Sequence, residues 1–212
     1  MQEPQYRVPV VAELLGRVAA SGVPAMSIMN MPPLAYLHRI PGLDTRALRD
    51  CYTDPSVWDA FDTANITLCS PDPQAFRPPE DPINVLQVTL PTNFKAARFE
   101  SETHTAIIQK LAADVEAATL TTDAGPVQLP VKLKVHDSVF VPLAKWAMLL
   151  TGNYRCIQEG AARSIRDSVH SDLGVSEQVY NAVKALCVRM GADEQDLVPF
   201  EKYARAAEGL LK

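Results

Sequence analysis

The sequence predicts a mixed α/β portion followed by an all-α portion, and three observations carry that prediction. Helical and strand patterns alternate up to about residue 135, strand signals then stop, and helical patterns occupy 161–170, 175–190 and 199–211. The two portions therefore fall at 1–135 and 136–212, with an active cleft expected where mixed and helical layers meet.

Taken in order, Val11, Leu14, Leu15 and Val18 recur at helical spacing over 10–20, and Gly22 supplies the stop. Ala25-Met-Ser-Ile-Met29 reads as a short buried strand. It ends at Asn30-Met-Pro-Pro-Leu34, where two prolines forbid further pairing and leave Asn30 at the strand's carboxyl end, the margin at which open α/β sheets gather ligands. Asp44 and Asp54-Pro55 have the cap chemistry of helix starts, which predicts short helices over 45–51 and 55–61. A strand is expected over 65–69. Pro71, Pro73, Pro78, Pro79 and Pro82 exclude a regular ladder and mark an insertion near 70–82.

The partial alternation over 83–90 predicts the clearest strand, with 94–99 returning beside it. Ile107, Ile108, Leu111 and Val115 share one face of a helix over 105–117, and 127–135 reads as strand or extended connector. His136-Asp137-Ser138 offers caps for the helix that carries Lys145, and Gly191 stands where a helix terminus wants it.

With 212 residues, 47% of them hydrophobic, the chain can bury a sizeable core. A formal charge of −5, from 20 basic and 25 acidic residues, offers no electrostatic footprint for nucleic acid or an anionic membrane. The longest apolar stretch is interrupted by Lys145, so neither an export signal nor a membrane span is expected, and a cytoplasmic location follows. Cys51, Cys69, Cys156 and Cys187 form no CxxC pair and read as reduced thiols, and the four histidines lack helical ligand spacing, so no metal site is expected. Arg163 and Arg166 read as a solvated face with nearby acidic partners, and Trp58 and Trp146 as packing anchors.

One residue asks for chemistry. Lys145 lies in the otherwise apolar segment Val141-Pro-Leu-Ala-Lys-Trp-Ala-Met-Leu-Leu-Thr-Gly-Asn-Tyr-Arg155, with Asn153 eight residues later. A buried ammonium loses hydration, so it is paired, shifted toward neutrality, or held ready for a ligand oxygen. The alternative is a lysine that snorkels from the edge of an apolar face. For Asn30 and Asn153 the structural alternatives are a self-capping turn and a helix-end amide behind Gly152.

A strand ending in Asn30, a β-rich middle, and Lys145 followed by Asn153 at the start of an all-α portion together resemble the ketopantoate reductase family, within the 6-phosphogluconate dehydrogenase C-terminal-like superfamily. The run from Glu177 to Ala192 is similar to that family's amphipathic helix closing on a glycine. The resemblance covers the central part of the family and sets Met1 inside its nucleotide domain. It implies a partial Rossmann-like sheet domain followed by a helical substrate and dimerisation domain. It further implies hydride transfer from NADPH or NADH to the carbonyl carbon of a small 2-oxo acid. Lys145 would be the catalytic residue, Asn153 would bind substrate, and Asn30 would lie beside the cofactor. The sequence departs from the family at Met31, where glycine usually follows the asparagine, and at Leu149, where a first asparagine usually stands. It contains no GxGxxG, and the family's late serine and glutamate have no counterpart. Two hypotheses therefore stand side by side: a reductase of this type, and a non-catalytic binding or assembly protein derived from the same fold, with a homodimer as its expected state.

Overall fold

The protein is described here from a computed structural model covering residues 3–70, 75–76, 80–82, 85, 87–88 and 92–211. Its chain divides into two units, one formed by Met1–Arg39 and Asp44–Val139, the other by Ile40–Leu43 and Phe140–Lys212.

In the first unit Pro9 sits in the opening turn of α1 (Pro9–Ser21), where its missing N–H costs nothing. Gly22 ends the helix at φ 68°, a left-handed conformation that glycine adopts without a Cβ penalty. The chain then enters β1 (Ala25–Ile28), and the short α2 (Leu34–Leu37) follows the proline pair, fully buried. Asp44 and Asp54 accept from the backbone N–H two residues on, but the elements they cap, Thr45–Cys51 and Pro55–Trp58, are 3-10 rather than α-helical. Short segments with few packing contacts settle for the tighter turn.

The strand β2 (Ile66–Ser70) is buried along its whole length. The short strands β3 (Ala75–Phe76) and β4 (Gln87–Val88) pair with each other antiparallel, which corrects the expectation that no ladder forms in the proline-rich stretch. Prolines flank that two-residue ladder without entering it. Most of the insertion and of the strand expected over 83–90 lies outside the described residues. Next come β5 (Thr92–Ala97), α3 (Glu102–Ala117), the hairpin of β6 (Thr119–Thr122) and β7 (Gly125–Gln128), and β8 (Val131–His136).

The principal sheet runs β1-β2-β5-β8. β1 and β2 are parallel, β2 and β5 antiparallel, β5 and β8 parallel. β5 lies between β2 and β8, and its Phe94 and buried Ala96 join the core cluster of Cys69, Phe99 and Ile108. The sheet is mixed, a Rossmann-like parallel part with an antiparallel joint. Ser101 caps α3 by accepting from His104 N–H, and α3 contributes the buried Thr105 and Ile108.

The second unit holds α4 (Lys145–Thr151), the two-residue strands β9 (Ile157–Gln158) and β10 (Ala161–Ala162), α5 (Ile165–His170), α6 (Leu173–Arg189) and α7 (Phe200–Ala207). β9 and β10 form a small antiparallel hairpin, so strand structure does not stop at residue 135, and the helix expected from 161 begins at Ile165 behind its Ser164 cap. Gly160, at φ 72°, supplies the turn. The core is Ala147, Val169, Tyr180, Val183, Phe200, Tyr203, Ala204 and Ala207. Tyr180 stacks on Tyr203 at 5.4 Å, and its hydroxyl donates to Val198 O at 2.9 Å.

Candidate functional site

Asn30 belongs to the first unit. β1 ends at Ile28, Met29 is buried, and Asn30 follows half-buried at the strand's carboxyl end, ahead of the buried Pro32 and Pro33. The proline pair is fixed in place: the Tyr52 hydroxyl donates to Pro32 O at 2.7 Å. A buried hydrogen bond thus holds the chain two residues after Asn30, whose side-chain oxygen is itself buried.

The same unit holds a group that sequence reading missed. Arg39 is 4% exposed in its side chain, donates to Arg98 O at 2.7 Å and to Ile66 O at 3.3 Å, and stands 3.8 Å from Glu100. Its guanidinium also lies 5.2 Å from the centroid of the Tyr36 ring. Burial lowers the Arg39 pKa, and burial raises that of Tyr36, whose hydroxyl donates to Val139 O at 2.6 Å. These contacts tie α2 to the start of β2 and the end of β5 through backbone carbonyls. A single arginine between a proline pair and a strand carries no sequence motif, so no pattern could have pointed to it.

Lys145 and Asn153 belong to the second unit. Lys145 is the first residue of α4, half-buried, rather than a residue inside a longer helix: Phe140–Ala144 form a run of turns whose side chains are all buried. His136-Asp137-Ser138 does not cap this helix. His136 ends β8, and Asp137 is an ion-pair partner of Arg98 at 3.8 Å, while Ala144 occupies the cap position of α4. The preceding turns already satisfy backbone N–H groups at this start, Ala144 donating to Phe140 O and Trp146 to Leu143 O, both at 2.9 Å.

Asn153 is exposed and lies off the helix. α4 stops at Thr151, Gly152 turns the chain at φ −110° and ψ −74°, and Asn153 opens a 3-10 segment, Asn153–Cys156. Only glycine fits at this turn: a Cβ at Gly152 would collide with the Tyr203 hydroxyl and meet Ile165 Cγ2 at 3.2 Å. Tyr203 takes that space to donate to Met148 O at 3.1 Å.

Behind this turn Arg155 donates to Ser176 Oγ at 2.7 Å, and Arg163 donates to Arg155 O at 3.0 Å and Ser171 Oγ at 3.4 Å. Arg163 thus engages neutral oxygens, not the carboxylates expected of a solvated face. Among the described residues no group of three or more His, Cys, Asp or Glu side chains could hold a metal ion, and no helix is long and apolar enough to cross a membrane.

No protein-family model matches the chain, and no curated protein matches it. Among solved structures the fold is similar to D-mandelate dehydrogenase in complex with NADH, with a TM-score of 0.52 and 9% identity over 98% of this chain and 56% of that one. The ternary structure of D-mandelate dehydrogenase with NADH and anilino(oxo)acetate aligns with a TM-score of 0.49 and 8% identity, over 95% of this chain and 54% of that one. The chain thus spans about half the length of these structures. At this identity the likeness is one of fold: mixed α/β with a Rossmann-like part, followed by helices, of the kind seen in a nicotinamide-dependent dehydrogenase.

Proposed function

We propose that the chain belongs to a nicotinamide-dependent oxidoreductase acting between a small 2-oxo acid and its 2-hydroxy acid, of ketopantoate-reductase type. The observation that carries this reading is the alignment of nearly the whole chain, 98% of it, with the fold of an NADH-bound 2-hydroxy acid dehydrogenase. In that reading Lys145 is the catalytic group, its ammonium facing the substrate's carbonyl oxygen, stabilising the alkoxide that develops there and delivering a proton to it. Asn153 binds substrate hydroxyl or carboxylate oxygens, and Asn30 lies on the cofactor side.

The cofactor, NADP or NAD, fits these residues only in part. A pyrophosphate asks for a glycine turn that opens a helix. Here α1 opens on Val8-Pro9, α3 on Ser101-Glu102 and α6 on Asp172-Leu173. None of these is a phosphate cradle, so the hydride step is not built from this chain's residues, and the substrate side is where its chemistry is argued.

Ligand-observed NMR with 2-oxopantoate and a panel of other 2-oxo acids tests that side directly. Saturable binding that Lys145→Met weakens about tenfold, the effect of losing one charge-assisted hydrogen bond, supports the reading. Binding of equal strength to wild type and Lys145→Met, or none to any 2-oxo acid, contradicts it. The second reading, a non-catalytic binding or assembly protein on the same fold, is favoured by the missing phosphate cradle, and it expects Lys145→Met to leave every binding property unchanged.

A further inference from the structure

Two arginines of the second unit lack the acidic partners that the sequence offers them. Among the described residues neither Arg155 nor Arg163 forms an ion pair. Asp172 is spent accepting from Val175 N–H at the head of α6, and Glu159 and Asp167 stand exposed. Arg155 is half-buried, and one arm of its guanidinium is fixed: Nη1 donates to Ser176 Oγ at 2.7 Å and to Thr151 O at 3.3 Å. Ser176 is itself fully buried, its hydroxyl donating to Val169 O at 2.7 Å. Arg163 secures the backbone behind this side chain, its Nε donating to Arg155 O at 3.0 Å.

The other edge of the same guanidinium is unspent. Nε and Nη2 of Arg155 carry no hydrogen bond, and neither is sealed from solvent as Arg39 Nε is. A guanidinium keeps its charge at every physiological pH and presents its N–H donors in a rigid fork, so this edge offers two parallel bonds of the kind that a carboxylate accepts. A fork already held by a buried serine loses little side-chain freedom when an anion arrives.

We infer that Arg155 anchors a second carboxylate on the substrate, so that the site takes 2-oxo dicarboxylic acids. This placement rests on the proposed reading in which Lys145 faces the keto oxygen. Lys145 opens α4 and Thr151 closes it six positions later, about 9 Å along the axis. Helical Cα–Cβ bonds tilt toward the N-terminus, so the ammonium leads away from Thr151 while the guanidinium is held against it. The carboxylate bonded to the keto carbon stays beside the keto oxygen and cannot reach the guanidinium as well. A second carboxylate two or three methylenes further on can, because the carbon chain and a hydrogen bond of about 2.8 Å at each end together cover that span. Asn153, exposed in the same 3-10 turn as Arg155, adds an uncharged amide to that end of the site.

Isothermal titration calorimetry with 2-oxoglutarate and 2-oxopentanoate, which share one carbon chain and differ in the second carboxylate, tests this. The wild-type chain should bind the dicarboxylate at least about tenfold more tightly, the effect of one charge-assisted hydrogen bond. Arg155→Gln should remove most of that preference, and Arg155→Lys, which keeps the charge without the fork, should retain part of it. Glutarate, which lacks the keto group, separates the anchor from the reading of Lys145. Glutarate binding that equals that of 2-oxoglutarate and is weakened by Arg155→Gln alone supports the anchor and removes the keto-oxygen role of Lys145. Equal affinity of the wild-type chain for 2-oxoglutarate and 2-oxopentanoate, a preference that survives Arg155→Gln, or no binding of either dicarboxylate would each overturn the inference.

Discussion

At the scale of single residues, the chain separates its polar groups into those that hold the fold and those left available. Arg39 is of the first kind. Replacing it with methionine keeps much of the side-chain volume but strands the carbonyls of Ile66 and Arg98 that it satisfies. The expected cost is about 2–3 kcal/mol of unfolding free energy, measured by urea denaturation. The thiols divide in the same way. Cys51 is exposed and Cys156 half-buried, whereas Cys69 and Cys187 are buried, and burial pushes the Cys69 thiol up to about 12. Only the thiolate reacts. Timed labelling with a chromogenic disulfide at neutral pH should therefore modify Cys51 first, Cys156 next, and Cys69 and Cys187 only on unfolding. Early labelling of Cys69 would contradict its burial.

At the scale of elements, the turn after α4 shows where sequence reading reaches its limit. The residues Lys145 and Asn153 are conspicuous in an apolar segment, but the need for glycine between them comes from Tyr203, fifty-odd positions downstream, whose hydroxyl occupies the space a Cβ at Gly152 would need. Nothing local announces that. Gly152→Ala should lower stability by about 1–3 kcal/mol through overpacking. Adding Tyr203→Phe should recover part of the loss although Tyr203→Phe alone is destabilising, a non-additive cycle readable by thermal melts. Elements whose signals are local were legible: α1 with its apolar spacing and Gly22 stop, the Asp44 and Asp54 caps, and the amphipathic α6. The partner of β5 was not, because strand order is set by which apolar faces meet in three dimensions. The β9–β10 hairpin was not either, since two-residue strands carry no periodicity. Of the candidate site, sequence offered the residue types and, through Gly152, a helix-end place for Asn153; that Lys145 opens its helix came only from packing.

At the scale of the molecule, burial of titratable groups gives a pH dependence with a defined sign. The folded Cys69 pKa lies above that of an unfolded thiol, so the folded state keeps a proton that the unfolded state gives up. Stability from this source is fully present below the unfolded thiol's value of about 8.5 and is lost progressively as pH rises toward the folded value. The burial-raised Tyr203, pushed up to about 12, acts in the same direction from about pH 10. Unfolding free energy should therefore fall between about pH 9 and 11, and Cys69→Ala should flatten the first part of that fall. Denaturant midpoints across this range check the slope, and a rise in stability there would contradict it.

The functional account rests on a mixed sheet and a helical unit that share the fold of a 2-hydroxy acid dehydrogenase, with Lys145 at the head of α4. Its most direct test is the binding of 2-oxo acids by the chain, followed by isothermal titration calorimetry in wild type and Lys145→Met. The account predicts saturable binding of at least one 2-oxo acid, weakened about tenfold in Lys145→Met at unchanged melting temperature. Equal binding by both proteins, or no binding of any 2-oxo acid, would contradict it.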